Sequence, residues 1–110
     1  ADGVRRLVQK AQSLAVWRSQ PQILIVAPIL IGQDIYTVPR INEGMGAGCA
    51  EKSWQLPQLL MITAEECRCH YLDANAVVTA NTVDFMHFDL ASNQRFCDYL
   101  GEWIEQSGVI

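Results

Sequence analysis

The segment at residues 82–90, TVDFMHFDL, holds the side chains best suited to chemistry in this sequence. It places Asp84 three residues before His87, just ahead of a segment with the pattern of a helix. In a turn, this spacing brings the carboxylate beside the imidazole ring. The carboxylate can then fix the ring's tautomer and stabilise its protonated form, which leaves the other ring nitrogen as a general base toward a hydroxyl. Phe85 and Met86 would help to exclude water from such a site.

An Asp-x-x-His pair also has a simpler interpretation. Such pairs arise often by chance, and they can do no more than organise a loop ahead of a helix. A catalytic role for the pair is favoured only if the surrounding helices and strands place it where open α/β sheets bind their ligands, beyond the carboxyl ends of the strands.

Composition favours one small packed domain. Half of the 110 residues are apolar, and the net charge is −4 with the basic side chains scattered along the chain. We therefore expect no binding to nucleic acid or to an anionic membrane, and no apolar run is long enough for a membrane span. The four cysteines are too few and too irregular for a disulfide framework, which favours reduced thiols in a cytoplasmic protein.

Hydrophobic patterning in the first half predicts a helix, a strand and a loop. Residues 2–17 carry the apolar stripe of an amphipathic helix, with Asp2 as its N-cap. Residues 23–27 are apolar without alternation, which is typical of a strand buried on both faces of a parallel sheet. Residues 29–48 are rich in glycine and show no periodicity, so we expect a long loop.

The second half repeats this order. Residues 49–67 are predicted as a helix that Pro57 either kinks or starts, and residues 71–74 as a short strand. A last helix is predicted at residues 90–106, with Asp89 as its N-cap. The expected fold class is thus α/β, a parallel sheet with flanking helices joined by right-handed crossovers. The last helix is expected to bury four large side chains, Phe96, Leu100, Trp103 and Ile104.

Two strands make an incomplete sheet. A strand as apolar as residues 23–27 should have neighbours on both sides, and exposed strand edges favour pairing with another chain. We therefore expect the isolated chain to form a homo-oligomer, to need a partner fragment, or to fold poorly.

Four segments together resemble the SGNH (GDSL-type) hydrolases, in particular the arylesterase or acyltransferase branch. VDFMHFDL, followed by the helix ASNQRFCDYLGEWI, is similar to the family's last conserved block, in which an Asp-x-x-His supplies the acid and the base of a Ser-His-Asp triad. ILIVAPILIG resembles the fourth strand and its loop, EKSWQLPQL the next helix, and CRCHYLDA the turn into the fifth strand. The segments occur in the family's order and cover nearly the whole chain.

This resemblance implies a flavodoxin-like fold in which residues 1–110 are the C-terminal part of a single domain, with its last two strands and three helices. It implies a carboxylic-ester hydrolase, an esterase or lipase-like acylhydrolase without a cofactor. His87 would be the base and Asp84 its orienting acid. Leu30 and Met86 are expected to contact the small-molecule ester, Leu30 because it follows the first strand.

Two departures from the family pattern matter. Phe85 stands where relatives usually have glycine, and the bulkier side chain is expected to narrow the pocket or alter the loop. The blocks that carry the serine nucleophile and the oxyanion donors are absent from the sequence. The chain alone is therefore predicted to be inactive and to need a missing N-terminal half. The alternative is a non-catalytic α/β interaction module or a decayed relative.

A metal site is the other chemistry that the sequence suggests. Cys67 and Cys69 with His70 resemble half of a zinc site, but zinc takes four ligands, usually from two separated pairs, and the sequence has no second pair. We therefore predict no metal at these residues, and that the two cysteines pack as small apolar side chains.

Overall fold

A computed structural model describes residues 1–110, with the side chain of Asn42 excepted. Two parallel strands pair in register, Leu24 opposite His70 through Ala27 opposite Asp73. The helices and strands follow in the order α1 (Asp2–Ser13), β1 (Leu24–Ala27), α2 (Ile41–Gly44), α3 (Cys49–Cys67), β2 (His70–Asp73) and α4 (Leu90–Ser107), with short 3₁₀ segments at Gln33–Thr37 and Ala74–Ala76. The predicted parallel α/β arrangement is confirmed.

The side chains of β1 divide between two layers of helices. Ile25 and Ala27 are buried against α1 and α3, where Val8, Leu60 and Ala64 complete the cluster. Val26 lies on the opposite face, in contact with a second cluster that also receives Phe96 from α4. This second face is only half-buried, so the prediction of a strand buried on both faces holds fully for one face only.

The first helix is shorter than predicted and is capped differently. α1 ends at Ser13, and Leu14 is extended, because the apolar side chains that follow have no surface to pack against: Val16 is 75% exposed. Ala1 takes the N-cap position without a side-chain hydrogen bond, while Asp2 lies in the first turn and pairs with Arg5. The predicted cap by Asp2 was therefore wrong.

The predicted loop at residues 29–48 contains two short helical segments. Ile35, in the 3₁₀ turn, is fully buried with Cys49 and Ala50 at the start of α3, which anchors the segment to the domain. α3 begins at Cys49 and continues through Pro57, so the proline does not mark its start.

The last helix has the predicted cap but less burial than expected. The carboxylate of Asp89 accepts a hydrogen bond from Ser92 N at 2.7 Å, and Gly108 ends the helix in the left-handed conformation. The four large side chains predicted to be buried, Phe96, Leu100, Trp103 and Ile104, are half-buried. A sheet of two strands is too narrow to cover the whole length of an 18-residue helix.

Several large apolar side chains lie at the surface, among them Leu7, Val83 and Leu90, which are 70–87% exposed. In the part of the chain that the structure describes, no helix combines the length and the apolarity needed to cross a membrane.

Candidate active site

The loop between β2 and α4 is shaped by Asn81. Its side-chain oxygen accepts hydrogen bonds from the backbone N–H groups of Val83 at 2.7 Å and Asp84 at 2.8 Å, which forms an Asx turn. Its backbone N–H and its side-chain amide both donate to the carbonyl of His87, at 2.8 and 3.1 Å. The loop is thus closed on itself between residues 81 and 87.

This closure brings Asp84 and His87 together. Asp84 Oδ2 lies 2.9 Å from Nδ1 of the His87 ring. The other carboxylate oxygen, Oδ1, accepts hydrogen bonds of 3.0 Å from Asn81 Nδ2, Met86 N and His87 N. With Nδ1 as the donor to the carboxylate, Nε2 is the ring nitrogen that remains to accept a proton.

These hydrogen bonds stabilise the ionised form of Asp84. They lower the pKa of the carboxyl group from its ordinary 3.8 to about 2, with the largest contribution from the Met86 N–H and the next from the His87 ring. Partial burial opposes this effect, but the side chain remains 38% exposed. Asp84 is therefore an anion over the whole physiological pH range.

The depressed pKa of Asp84 predicts a specific pH dependence. Because its folded pKa lies below its unfolded value, the carboxylate stabilises the fold fully above pH 3.8, and this contribution is lost as the pH falls toward 2. We expect the Asp84 carboxyl carbon to titrate in NMR spectra with a midpoint near 2. A midpoint at its ordinary value of 3.8 would show that the hydrogen bonds of the loop are absent in solution.

Phe85 adopts the left-handed conformation, with φ of 60°. This conformation favours glycine, the residue that the resemblance leads one to expect here. The Phe85 carbonyl accepts a hydrogen bond from Gly32 N at 2.8 Å, and a Cβ atom on Gly32 would lie only 3.3 Å from that of Phe85. The Phe85 side chain packs with the cluster around Ile35. Phe85 thus combines a backbone conformation that favours glycine with a side chain that contacts the core.

Two substitutions separate the backbone strain at Phe85 from the packing of its side chain. Phe85→Ala and Phe85→Gly both remove the packing contact, but only glycine also relieves the left-handed strain. We expect Phe85→Gly to be the more stable of the two by about 1 kcal/mol in chemical denaturation, the reverse of their order in a regular helix. Alanine as the more stable variant would mean that the positive φ is not maintained in solution.

A second asparagine holds the loop that follows β1. Asn75 Oδ1 accepts a hydrogen bond from Leu30 N at 2.8 Å, and Nδ2 donates to the Pro28 carbonyl at 3.0 Å and to Asp73 Oδ1 at 2.7 Å. The carboxyl end of β2 therefore fixes the segment that leaves the carboxyl end of β1, next to the His87 loop.

The two residues predicted to contact substrate lie in different places. Met86 and His87 line an open groove of about 390 Å³ together with Ile29. Leu30 instead lines a separate cavity of about 520 Å³. The structure thus brings Met86, but not Leu30, to the groove that His87 lines.

The cysteines and the second histidine lie away from this groove. All four cysteines are free, and Cys67 and Cys69 pack against the cluster under α1, where burial raises the pKa of the Cys69 thiol. His70 is the first residue of β2. Its Nε2 lies 2.8 Å from Gln22 Oε1, and its ring packs edge-on against the Trp103 ring. Among the described residues there is no cluster of three or more side chains able to bind a metal.

Sequence reasoning missed Asn81 and Asn75, which give the two loops their shape. A sequence signal existed for Asn81, because asparagine ahead of a loop readily binds backbone N–H groups two or three residues later, whereas Asn75 binds the distant N–H of Leu30. The signal does not reveal which distant backbone group the same side chain also contacts.

Comparisons with known proteins found similar structures but no similar sequence. No protein-family model matches the sequence, and no curated protein sequence matches it significantly. A carbohydrate acetylesterase family member from Sinorhizobium meliloti superposes with a TM-score of 0.82 at 25% identity, over 96% of this chain and 49% of its own. The native aryl esterase of M. smegmatis superposes with a TM-score of 0.78 at 22% identity, over 94% of this chain and 49% of its own. This chain therefore spans about half the length of the structures that it matches.

Proposed function

We propose that this chain, which has the fold of the SGNH hydrolases over about half the length of their structures, carries the acid–base pair of a carboxylic-ester hydrolase. The observation that carries the proposal is the 2.9 Å contact between Asp84 Oδ2 and His87 Nδ1, in the loop that follows a strand of a parallel sheet. Residues 1–110 then form the C-terminal part of a single catalytic domain.

In this proposal His87 acts first as a base and then as an acid. Its Nε2 takes the proton of a serine hydroxyl, supplied from outside this chain, as the serine oxygen attacks the ester carbonyl. Asp84 holds the Nδ1 proton and stabilises the imidazolium. The imidazolium then protonates the leaving alcohol, and an acyl-enzyme remains. Water or an acceptor alcohol, activated by the same nitrogen, releases the acyl group. We assign neither the serine nor the oxyanion donors to this chain.

The groove beside His87 is the proposed substrate site. Ile29 and Met86 give it an apolar wall, and Asn93 adds a polar group at its edge. Met86 was predicted to contact the ester, and we propose that Ile29 has the role predicted for its neighbour Leu30. A groove of this size and openness suits a small ester whose acyl or alcohol group is short.

The exposed apolar side chains and the free strand edges need a covering partner. We propose the other half of an SGNH-type domain or, in its absence, a second copy of this chain. The isolated chain should therefore self-associate, which sedimentation velocity would detect. A stable compact monomer would instead favour a complete small domain.

The competing proposal is a non-catalytic α/β interaction module with the same fold. Hydrolysis of phenyl acetate by the complete protein separates the two. The esterase proposal predicts turnover by the complete protein and none by the 110-residue chain above the buffer rate, because the members of a triad act as a unit. A folded complete protein without turnover of any short-chain aryl or sugar ester would favour the module.

A further inference from the structure

We propose that Asn81 is a positioning residue for His87: its side-chain amide occupies one oxygen of Asp84 so that the other stays aimed at the imidazole. Its importance for catalysis rests on the proposed function, but its effect on the ring can be measured without any activity.

The two oxygens of Asp84 have different partners. Oδ1 accepts three hydrogen bonds of 3.0 Å, two from the backbone N–H groups of Met86 and His87 and one from Asn81 Nδ2. Oδ2 accepts only the bond from the His87 ring in the part of the chain that the structure describes. Oδ1 is thus held by three donors, of which the Asn81 amide is the one that a side-chain substitution can remove, and Oδ2 is left to the imidazole.

The Asn81 amide is itself held in one orientation. Its oxygen faces two backbone donors, the N–H groups of Val83 and Asp84, and its nitrogen faces two acceptors, Asp84 Oδ1 and the His87 carbonyl. Exchanging the two ends of the amide would set donor against donor and acceptor against acceptor. The side chain therefore cannot turn without losing all four bonds, which makes it a rigid support for the carboxylate.

Such a support matters because the pair is exposed to water. The His87 side chain is 71% exposed, and the Asp84 side chain 38%. Water competes for an exposed hydrogen bond at little cost in free energy, so a carboxylate that has lost one of its three anchoring donors would aim Oδ2 at the ring for less of the time. The proton of the neutral imidazole would then move to Nε2, the nitrogen that has to be free to act as a base.

The test measures the tautomer of His87 by ¹⁵N NMR of the imidazole rings in the complete protein, at a pH where the rings are neutral. His87→Gln and His70→Gln variants each assign one signal, and His70 serves as an internal control. Asn81→Asp keeps the oxygen that forms the Asx turn but loses the amide donor. Asn81→Ala loses both. Asn75→Ala is the matched control, since it removes an asparagine that makes three side-chain hydrogen bonds from the 3₁₀ turn directly after β2.

We expect the Nδ1–H tautomer of His87 to predominate in the wild-type chain. Its ratio to the Nε2–H tautomer should fall by about five-fold or more in both Asn81 variants, the effect of losing one hydrogen bond. His70, and both rings in Asn75→Ala, should keep their wild-type tautomers. An unchanged His87 tautomer in folded Asn81→Asp would overturn the proposal, as would an equal change at His70. If the tautomers change as expected but the complete protein hydrolyses no ester, the esterase proposal is rejected and the positioning role of Asn81 is not.

Discussion

Replacing His87 with alanine in the complete protein is expected to lower kcat for phenyl acetate by about 10⁴-fold or more. Without the imidazole, no group in the groove can take the proton of the attacking hydroxyl or return it to the leaving alcohol. The ring is 71% exposed and lies in a surface loop, so the fold should tolerate its loss.

His70→Ala is the matched control for this substitution. It removes the other histidine of the chain, which lies at the opposite end of β2 and contacts Gln22 and Trp103. We expect kcat to stay within a few-fold of the wild-type value, at some cost in stability. A folded His87→Ala protein that retained wild-type turnover would remove His87 from the mechanism.

Asp84→Asn is expected to lower kcat by about 10³- to 10⁴-fold with little change in KM. The new amide would offer N–H groups where Oδ2 now accepts the Nδ1 proton, so the ring would have to carry its proton on Nε2 and could not act as a base. Steady-state kinetics across the pH range would show the loss at every pH, rather than a shift of the profile.

The control for Asp84→Asn is the same change at Asp89. Asp89 also binds a backbone N–H, but as the N-cap of α4 and not as a partner of the imidazole. Asp89→Asn should leave kcat unchanged and cost less than about 1 kcal/mol of stability, because asparagine is also a good N-cap. Equal losses of kcat in the two variants would show that Asp84→Asn acts by destabilising the loop.

Much of the fold could be predicted because local patterns and long-range packing agree. The parallel α/β arrangement and the SGNH-type fold are confirmed, and the bounds of α3 match the predicted residues 49–67. Prediction was wrong where packing decided the outcome. α1 stops at Ser13 although its apolar pattern continues, and α4 buries its large side chains only in part, because the sheet is too narrow to cover them.

The candidate site, too, could be predicted from the sequence only in part. Spacing in the sequence was enough to nominate Asp84 and His87, since a short turn leaves few arrangements for the two side chains. It could not show that Phe85 takes a left-handed conformation, or that Leu30 turns away from the groove that holds Met86. Both outcomes depend on contacts between the loops that follow β1 and β2, which are far apart in the sequence.

The most direct test of the account is the rate at which a fluorophosphonate labels the complete protein, because that rate measures activation of the hydroxyl itself. The account predicts that the wild-type protein is labelled on a single serine outside these 110 residues, and that folded His87→Ala is labelled at least about 10³-fold more slowly. Equal labelling rates for the two proteins would contradict it.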